Sequence, residues 1–140
     1  MRYVDCVRDR NHLHICLEYM DYGSLDSLRR RVPFAEALCA VYVSQVVEGL
    51  VYLHDQGVLH RDVKCPNILA SKDGSVKLAD FGVAIRSWEA KGATSDSADD
   101  LSIAGSPYWM APEVRASRKK TELSPLRCAA HAVEYWILWI

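Results

Sequence analysis

The chain has 140 residues, of which 50% are hydrophobic and 25% charged, with a formal net charge of −1. This length supports one modest domain, and the composition is that of an ordinary globular protein. A net charge near zero excludes a general attraction to nucleic acid or to an anionic membrane surface.

The cysteines and the two ends of the chain bear on the cellular compartment. Five cysteines lie far apart without a Cys-x-x-Cys pair, so their spacing predicts neither a zinc site nor a disulfide framework. The N-terminus lacks the apolar core of a signal peptide, and the apolar run at 132–140 is shorter than the ~20 residues of a membrane span. We therefore expect a cytoplasmic protein with reduced thiols and with no nucleic-acid or membrane partner.

Strand and helix signals alternate in the first half of the chain. The apolar run Leu13–Tyr19 predicts a buried strand. Ser24 follows Gly23 and predicts the N-cap of a short helix. A long helical pattern then runs from Pro33, expected in the first turn, to Gly57, expected at the C-terminal cap. The apolar face expected for this helix consists of Leu38, Val41, Val46, Leu50 and Leu53.

Three short strands are predicted after the long helix, within 57–60, 67–70 and 75–80. Asp73-Gly74 separates the last two, and this dipeptide is a strong hairpin signal. Residues 87–104 are polar and without periodicity, which predicts a loop.

Three short motifs carry the chemistry of the chain. They are HRDVKCPN at 60–67, DFG at 80–82 and APE at 111–113. Phosphoryl transfer needs a group that positions the acceptor hydroxyl, oxygen ligands for magnesium and a cation near the moving phosphate. Residues of these types are present, namely Asp62, Lys64, Asn67 and Asp80.

The ordered set, with a hairpin between its first two motifs, resembles the catalytic domain of eukaryotic serine/threonine protein kinases. KLADFGVA and LSIAGSPYWMAPEV are most similar to the STE-group, MAP kinase kinase kinase-like pattern. The resemblance implies an α+β fold over residues 1–114: the last small-lobe strands, the hinge and the front part of the mainly helical large lobe. Residues 115–140 do not match the family and are expected to form a divergent tail.

Roles for four residues follow from the resemblance. Asp62 would be the catalytic base, and Lys64 would contact the transferred phosphate and favour serine or threonine substrates. Asn67 would hold one magnesium ion and help to position Asp62. Asp80 would hold magnesium that bridges the nucleotide phosphates. The resemblance thus implies ATP and Mg²⁺ as cofactors and a protein substrate with a Ser/Thr acceptor.

The nucleotide pocket is also represented. LEYMDYGSL resembles the hinge, with Leu17 at the gatekeeper position. Backbone groups of Glu18 and Met20 would bond the adenine edge. Ser24 would lie near the ribose, and Leu69 would form the floor under the adenine.

Further positions relate to regulation and to packing. Ser106 would lie at the substrate-docking position and bond Asp62 or Lys64. Ser102 lies where activating phosphorylation by an upstream kinase usually falls, and Arg61 would pair with its phosphate. The remaining positions are the rival phosphorylation sites Thr94, Ser95 and Ser97, the internal packing pair His60 and Phe81, and Glu113, which would pair with a distant arginine.

Several family features are missing from these 140 residues: the glycine-rich loop, the strand lysine with its glutamate partner, and the central helix that supports the catalytic loop. We therefore expect the isolated chain to be inactive or nearly so. A second hypothesis is a truncated, non-catalytic isoform that binds a kinase, its substrate or a scaffold. A third is a gene-model fragment without a function of its own.

Overall fold

The computed structural model describes residues 1–86 and 105–110 of the chain. The elements in chain order are β1 (Tyr3–Arg8), β2 (Leu13–Leu17), β3 (Gly23–Ser24), α1 (Leu25–Arg29), α2 (Glu36–Asp55), β4 (Val58–Leu59), β5 (Ile68–Ala70), β6 (Val76–Leu78) and β7 (Ile85–Arg86), with 3₁₀ turns at Cys65–Asn67 and Pro107–Trp109. This mixture of short strands and helices confirms the predicted α+β class.

The first two strands form an antiparallel hairpin. Arg8 pairs with Leu13 and Val7 with His14, so four residues remain for the loop. The prediction of a buried strand over 13–19 was wrong in its burial, because every residue of β2 is exposed and Ile15 is 60% exposed. An apolar strand is buried only where a second layer covers it, and in the described part of the chain no such layer covers this ribbon.

The predicted cap of the short helix is confirmed. Ser24 has an extended backbone, and its hydroxyl accepts a hydrogen bond from the Ser27 amide at 3.2 Å. This contact satisfies one of the free amides in the first turn of α1. Ser24 also ends β3, where it pairs with Leu69 of β5.

The long helix begins later than predicted. Pro33 precedes α2 by three residues, and the N-cap Ala35 has an extended backbone. The prediction for the other end is confirmed. Gly57 follows the helix with φ of 68°, and its amide donates to the His54 carbonyl at 2.9 Å. Glycine is favoured at this position because its backbone adopts the left-handed conformation without strain.

Only part of the predicted apolar face of α2 is buried. Tyr42, Val46 and Leu50 recur every four residues and lie in the core. Leu38 and Val41 were predicted on this face but are 38% and 52% exposed. Val41 lies about 100° around the helix from Tyr42, and Leu38 lies one turn before the first buried residue. Packing therefore covers a narrower stripe than the sequence pattern suggests.

Among the described residues, α2 is the one helix long and apolar enough to cross a membrane, with a mean hydropathy of 1.4. The core helices of soluble proteins pass the same test, so this property is weak support for a membrane span. In α2 the buried stripe faces β6, and that contact accounts for part of its apolar character.

A three-stranded sheet supports the centre of the structure. β5 lies between β3 and β6, antiparallel to both, and the predicted hairpin turn at Asp73-Gly74 joins β5 to β6. Gly74 has φ of 82°, and the Asp73 carboxylate accepts from the Ser75 amide at 2.9 Å. The three predicted strands are thus confirmed as β4, β5 and β6. The core between sheet and helices includes Leu25, Val46, Leu50, Val63, Ile68, Ala70 and Leu78.

Candidate active site

The HRD segment lies between β4 and the 3₁₀ turn at Cys65–Asn67, so regular structure holds both of its ends. His60 is fully buried. Its Nε2 donates to the Ala79 carbonyl at 3.0 Å, and its Nδ1 accepts from the Asp62 amide at 3.3 Å. These roles specify a neutral imidazole with the proton on Nε2. Burial lowers the pKa of His60, in agreement with this neutral form.

Asp62 accepts hydrogen bonds on both of its carboxylate oxygens. Oδ1 accepts from the Ser106 amide at 2.9 Å, and Oδ2 accepts from Asn67 Nδ2 at 2.9 Å. Asn67 Nδ2 also donates to the backbone carbonyl of Asp62 at 2.9 Å. Burial by itself would raise the pKa of Asp62, but the hydrogen bonds from Lys64 and Ser106 and the charge of Lys64 hold that pKa below its usual value. Asp62 is therefore a carboxylate at neutral pH.

Lys64 joins Asp62 to Ser106. Its Nζ lies 2.7 Å from Asp62 Oδ2 and donates to Ser106 Oγ at 2.6 Å. The ammonium group has three donors, and these contacts use two of them. The structure therefore brings together an acid, a cation and a hydroxyl that lie up to 44 residues apart in sequence.

Close backbone contact places Ser106 against the catalytic loop. The preceding Gly105 has φ of 118°, and a Cβ atom there would lie 2.5 Å from the Arg61 carbonyl oxygen. The following residues, Pro107–Trp109, form a 3₁₀ turn. Any side chain at Gly105 would prevent this approach.

The DFG segment begins beside the same loop. The Ala79 amide donates to the Asn67 carbonyl at 2.9 Å, while the Ala79 carbonyl accepts from His60. Asp80 follows directly, is exposed and has φ of 60°. Its Oδ1 accepts from the Gly82 amide at 3.2 Å. The ring of Phe81 lies 4.8 Å from that of His60, so the two residues predicted to pack together are in contact.

The donor set suits magnesium. Asn67 uses its amide nitrogen on Asp62, so its side-chain oxygen is the atom that could ligate a metal ion. Asp80 adds an exposed carboxylate one residue from the Ala79 contacts. Carboxylate and amide oxygens are the ligands that Mg²⁺ takes in proteins, usually together with phosphate oxygens of a substrate.

Arg61 lies against the segment that follows DFG. Its φ is 64°, and its Nε donates to the Val83 carbonyl at 2.6 Å. Burial lowers the pKa of its guanidinium. Its predicted partner Ser102 lies outside the described residues. So do Glu113, the rival phosphorylation sites at 94–97 and the tail at 115–140.

An ion pair ties the hinge to the central sheet. Glu18 Oε2 lies 2.7 Å from Lys77 Nζ, and Glu18 Oε1 accepts from the Arg2 amide. The Lys77 hydrogen bond, followed by that of Arg2, lowers the pKa of Glu18. Met20 is buried, whereas Leu17, the predicted gatekeeper, is 46% exposed.

The hinge backbone determines which atoms could meet adenine. The Glu18 amide donates to the Arg2 carbonyl at 3.0 Å, and the Met20 carbonyl accepts from the Gly23 amide at 3.1 Å. The Glu18 carbonyl and the Met20 amide are therefore the backbone groups of this pair not used in these two bonds. Ser24 and Leu69, the predicted ribose and floor residues, lie opposite each other in the β3–β5 pair. The Ser24 hydroxyl is already engaged in its cap.

Lys77 and Gly105 were missed by the sequence reasoning. Lys77 lies 59 residues from Glu18, and no local pattern indicates that they pair. Gly105 could have been found, because it directly precedes the docking residue Ser106 in a motif already singled out.

The sequence comparisons identify the family. A family model described as "Protein kinase domain" matches residues 1–125. The chain belongs to the protein kinase family. Its resemblance to serine/threonine kinases of the MAP kinase kinase kinase type is also confirmed by its relatives. The domain boundary at residue 114 stays a prediction.

The kinase chain is 52% identical over 117 residues to "MAP3K epsilon protein kinase 1" of Arabidopsis thaliana. It is 50% identical over 115 residues to "Cytokinesis protein sepH" of Emericella nidulans. It is 47% identical over 117 residues to "Cell division control protein 7" of Schizosaccharomyces pombe. Each match covers 81% of this chain but only 8–10% of the relative. The chain therefore spans about a tenth of the length of these relatives.

Proposed function

We propose that this kinase domain transfers the γ-phosphate of ATP to a serine or threonine hydroxyl of a protein substrate, with Mg²⁺ as a cofactor. The single observation that carries the proposal is the contact network of Asp62, Lys64, Asn67 and Ser106. ATP with its magnesium supplies the activated phosphoryl group. What the protein contributes is position and charge.

Asp62 is suited to orient the acceptor hydroxyl. Its lowered pKa keeps it ionised, so it can accept a hydrogen bond from an incoming hydroxyl. Asn67 holds it from two sides, through the backbone carbonyl and through Oδ2. A base fixed in this way loses little freedom when the substrate binds.

Lys64 is suited to neutralise the phosphoryl group as it moves. Its ammonium already touches the acid and the docking serine, and its third donor can face a phosphate oxygen. The contact with Ser106 makes the position of this cation depend on the activation segment. Regulation by an upstream kinase acting on Ser102 fits this dependence, with Arg61 as the phosphate partner.

The hinge would bind the adenine edge through the Glu18 carbonyl and the Met20 amide. We further propose a cytoplasmic location, where the widely spaced cysteines would stay reduced. We expect the 140-residue chain alone to be inactive or nearly so, because these 140 residues hold no glycine-rich loop and no strand lysine for the nucleotide phosphates.

A domain exchange tests the proposed function separately from the low activity expected of the isolated chain. Residues 1–110 replace the matching segment in the kinase domain of the Arabidopsis relative, and phosphate transfer from labelled ATP to a protein acceptor is measured. We expect label on serine or threonine, with a loss of at least about 100-fold in the Asp62→Asn variant. Asp55→Asn is the matched control, because Asp55 is exposed at the end of α2. Equal activity of Asp62→Asn and Asp55→Asn would refute the proposed role.

A further inference from the structure

Two histidines and an aspartate meet at the tip of the β1–β2 hairpin, away from the catalytic loop. Asp9, His12 and His14 are all exposed, and one ligating atom of each lies within 4.8 Å of the others. Neither the proposed nucleotide site nor the substrate site uses these residues.

The hairpin loop fixes the carboxylate. The Asp9 amide donates to the His12 carbonyl at 3.0 Å and closes the loop. Asp9 Oδ1 in turn accepts from the amides of Asn11 at 2.8 Å and His12 at 2.7 Å. Such a turn orders the side chain before any ligand arrives. The other oxygen, Oδ2, faces His14 at 3.2 Å.

The strand places the two imidazoles on one side. His12 directly precedes β2 and His14 is the second residue of that strand, and alternate residues of an extended chain share a face. Their ring centroids are 6.0 Å apart. Both rings therefore reach the same carboxylate from the same side of the hairpin.

The spacing fits a transition-metal ion. His14 Nε2 lies 3.2 Å from Asp9 Oδ2, and His12 Nδ1 lies 3.5 Å from Asp9 Oδ1. A tetrahedral Zn²⁺ with bonds of about 2.0–2.1 Å separates its ligands by about 3.3–3.4 Å. Small side-chain rotations would complete such a set.

We propose that Asp9, His12 and His14 form a binding site for a divalent transition-metal ion of the Zn²⁺ class. Two imidazoles with one carboxylate favour Zn²⁺ over Mg²⁺, which takes oxygen ligands. The exposed position leaves the fourth ligand to water. The adjacent Arg8 and Arg10 oppose a cation, so binding is weaker than in a closed structural zinc site. A bound ion cross-links the loop to β2.

Titration calorimetry with zinc chloride on the whole 140-residue chain tests the site. The background carries Cys6→Ser and Cys16→Ser, because exposed thiols on the same hairpin could compete as zinc ligands. We expect one ion per chain. We expect His12→Gln and His14→Gln each to weaken binding at least about tenfold, because the loss of even an outer-shell partner costs about 10–100-fold in metal affinity.

Two further variants separate ligation from folding. Asp9→Asn retains an oxygen that can accept from the loop amides but loses the charged ligand, so it keeps the turn and weakens binding. His131→Gln removes a histidine outside the hairpin and leaves binding unchanged. The visible absorption of bound Co²⁺ adds a signature of tetrahedral coordination, which is lost in His14→Gln. The proposal is overturned if zinc fails to bind at about 1 mM, or if all three hairpin variants bind it as the background does.

Discussion

Gly105→Ala tests whether the activation segment docks on the catalytic loop through backbone contact. The new Cβ atom would lie 2.5 Å from the Arg61 carbonyl oxygen and 3.2 Å from Met110 Cε. The Met110 side chain can move. The Arg61 backbone is less free, since it has φ of 64° and its side chain is held by the Val83 carbonyl. The segment at 105–110 must therefore shift away.

The cost has two parts. Holding a non-glycine residue at a φ of 118° costs about 1–3 kcal/mol, and the contact with the Arg61 carbonyl adds to this. The backbone part alone lowers the ratio of docked to undocked segment by about 5- to 150-fold. The bond from the Ser106 amide to Asp62 and the bond from Lys64 to Ser106 are lost together.

Amide exchange of Ser106, measured by NMR on serine-labelled protein, reports the docking directly. We expect its exchange in Gly105→Ala to be faster by a factor in that range. Gly74→Ala is the matched control, because Gly74 also has a positive φ, of 82°, but a Cβ there meets nothing within 4 Å. Equal Ser106 exchange in the two variants would contradict the docking geometry.

Three other predictions concern stability. Because burial lowers the pKa of His60 in the folded protein, the unfolded protein binds protons more readily, and the free energy of unfolding should fall as the pH drops below 6.5. Urea unfolding at about pH 7.5 and about pH 5.5 measures this change. A variant that lacks the imidazole should show a smaller difference between the two pH values. Leu50→Ala should cost about 2–5 kcal/mol in urea unfolding, whereas Val51→Ala on the exposed side of α2 should cost far less, and similar costs would refute the buried stripe. Asn67→Ala removes both hydrogen bonds to Asp62 and should lower the free energy of unfolding by about 1–3 kcal/mol. A thermal melt unchanged from that of the wild type would contradict this prediction.

Local signals predicted local structure well. The Ser24 cap, the glycine after α2 and the Asp73-Gly74 hairpin depend on neighbours within a few residues, and the structure contains all three. The short strands were predictable because turn residues bound them.

Burial and long-range contacts were harder to predict from the sequence. The apolar sequence of β2 predicted a buried strand, but it does not indicate whether another layer covers that strand. Within the described chain no layer does, so Ile15 was expected to be buried and is exposed. The Glu18–Lys77 pair joins residues 59 apart, and the left-handed backbone of Arg61 follows from its surroundings rather than from its side chain. In the candidate site, the family motifs predicted which residues take part, but no local pattern indicates that Gly105 approaches the Arg61 backbone.

The β1–β2 hairpin also bears on the order in which the protein folds. Its internal contacts are local, with Arg8 paired to Leu13 across a four-residue loop. Its contacts with β6 join residues that are far apart in sequence. Lys77 bonds to Glu18, and the Leu78 carbonyl accepts from the N-terminal amine. Hairpins form in about 1–10 μs, whereas closing long loops is slower. Pairing within the ribbon should therefore be fast, whereas its contacts with Lys77 and Leu78 should form only after β6 is in place.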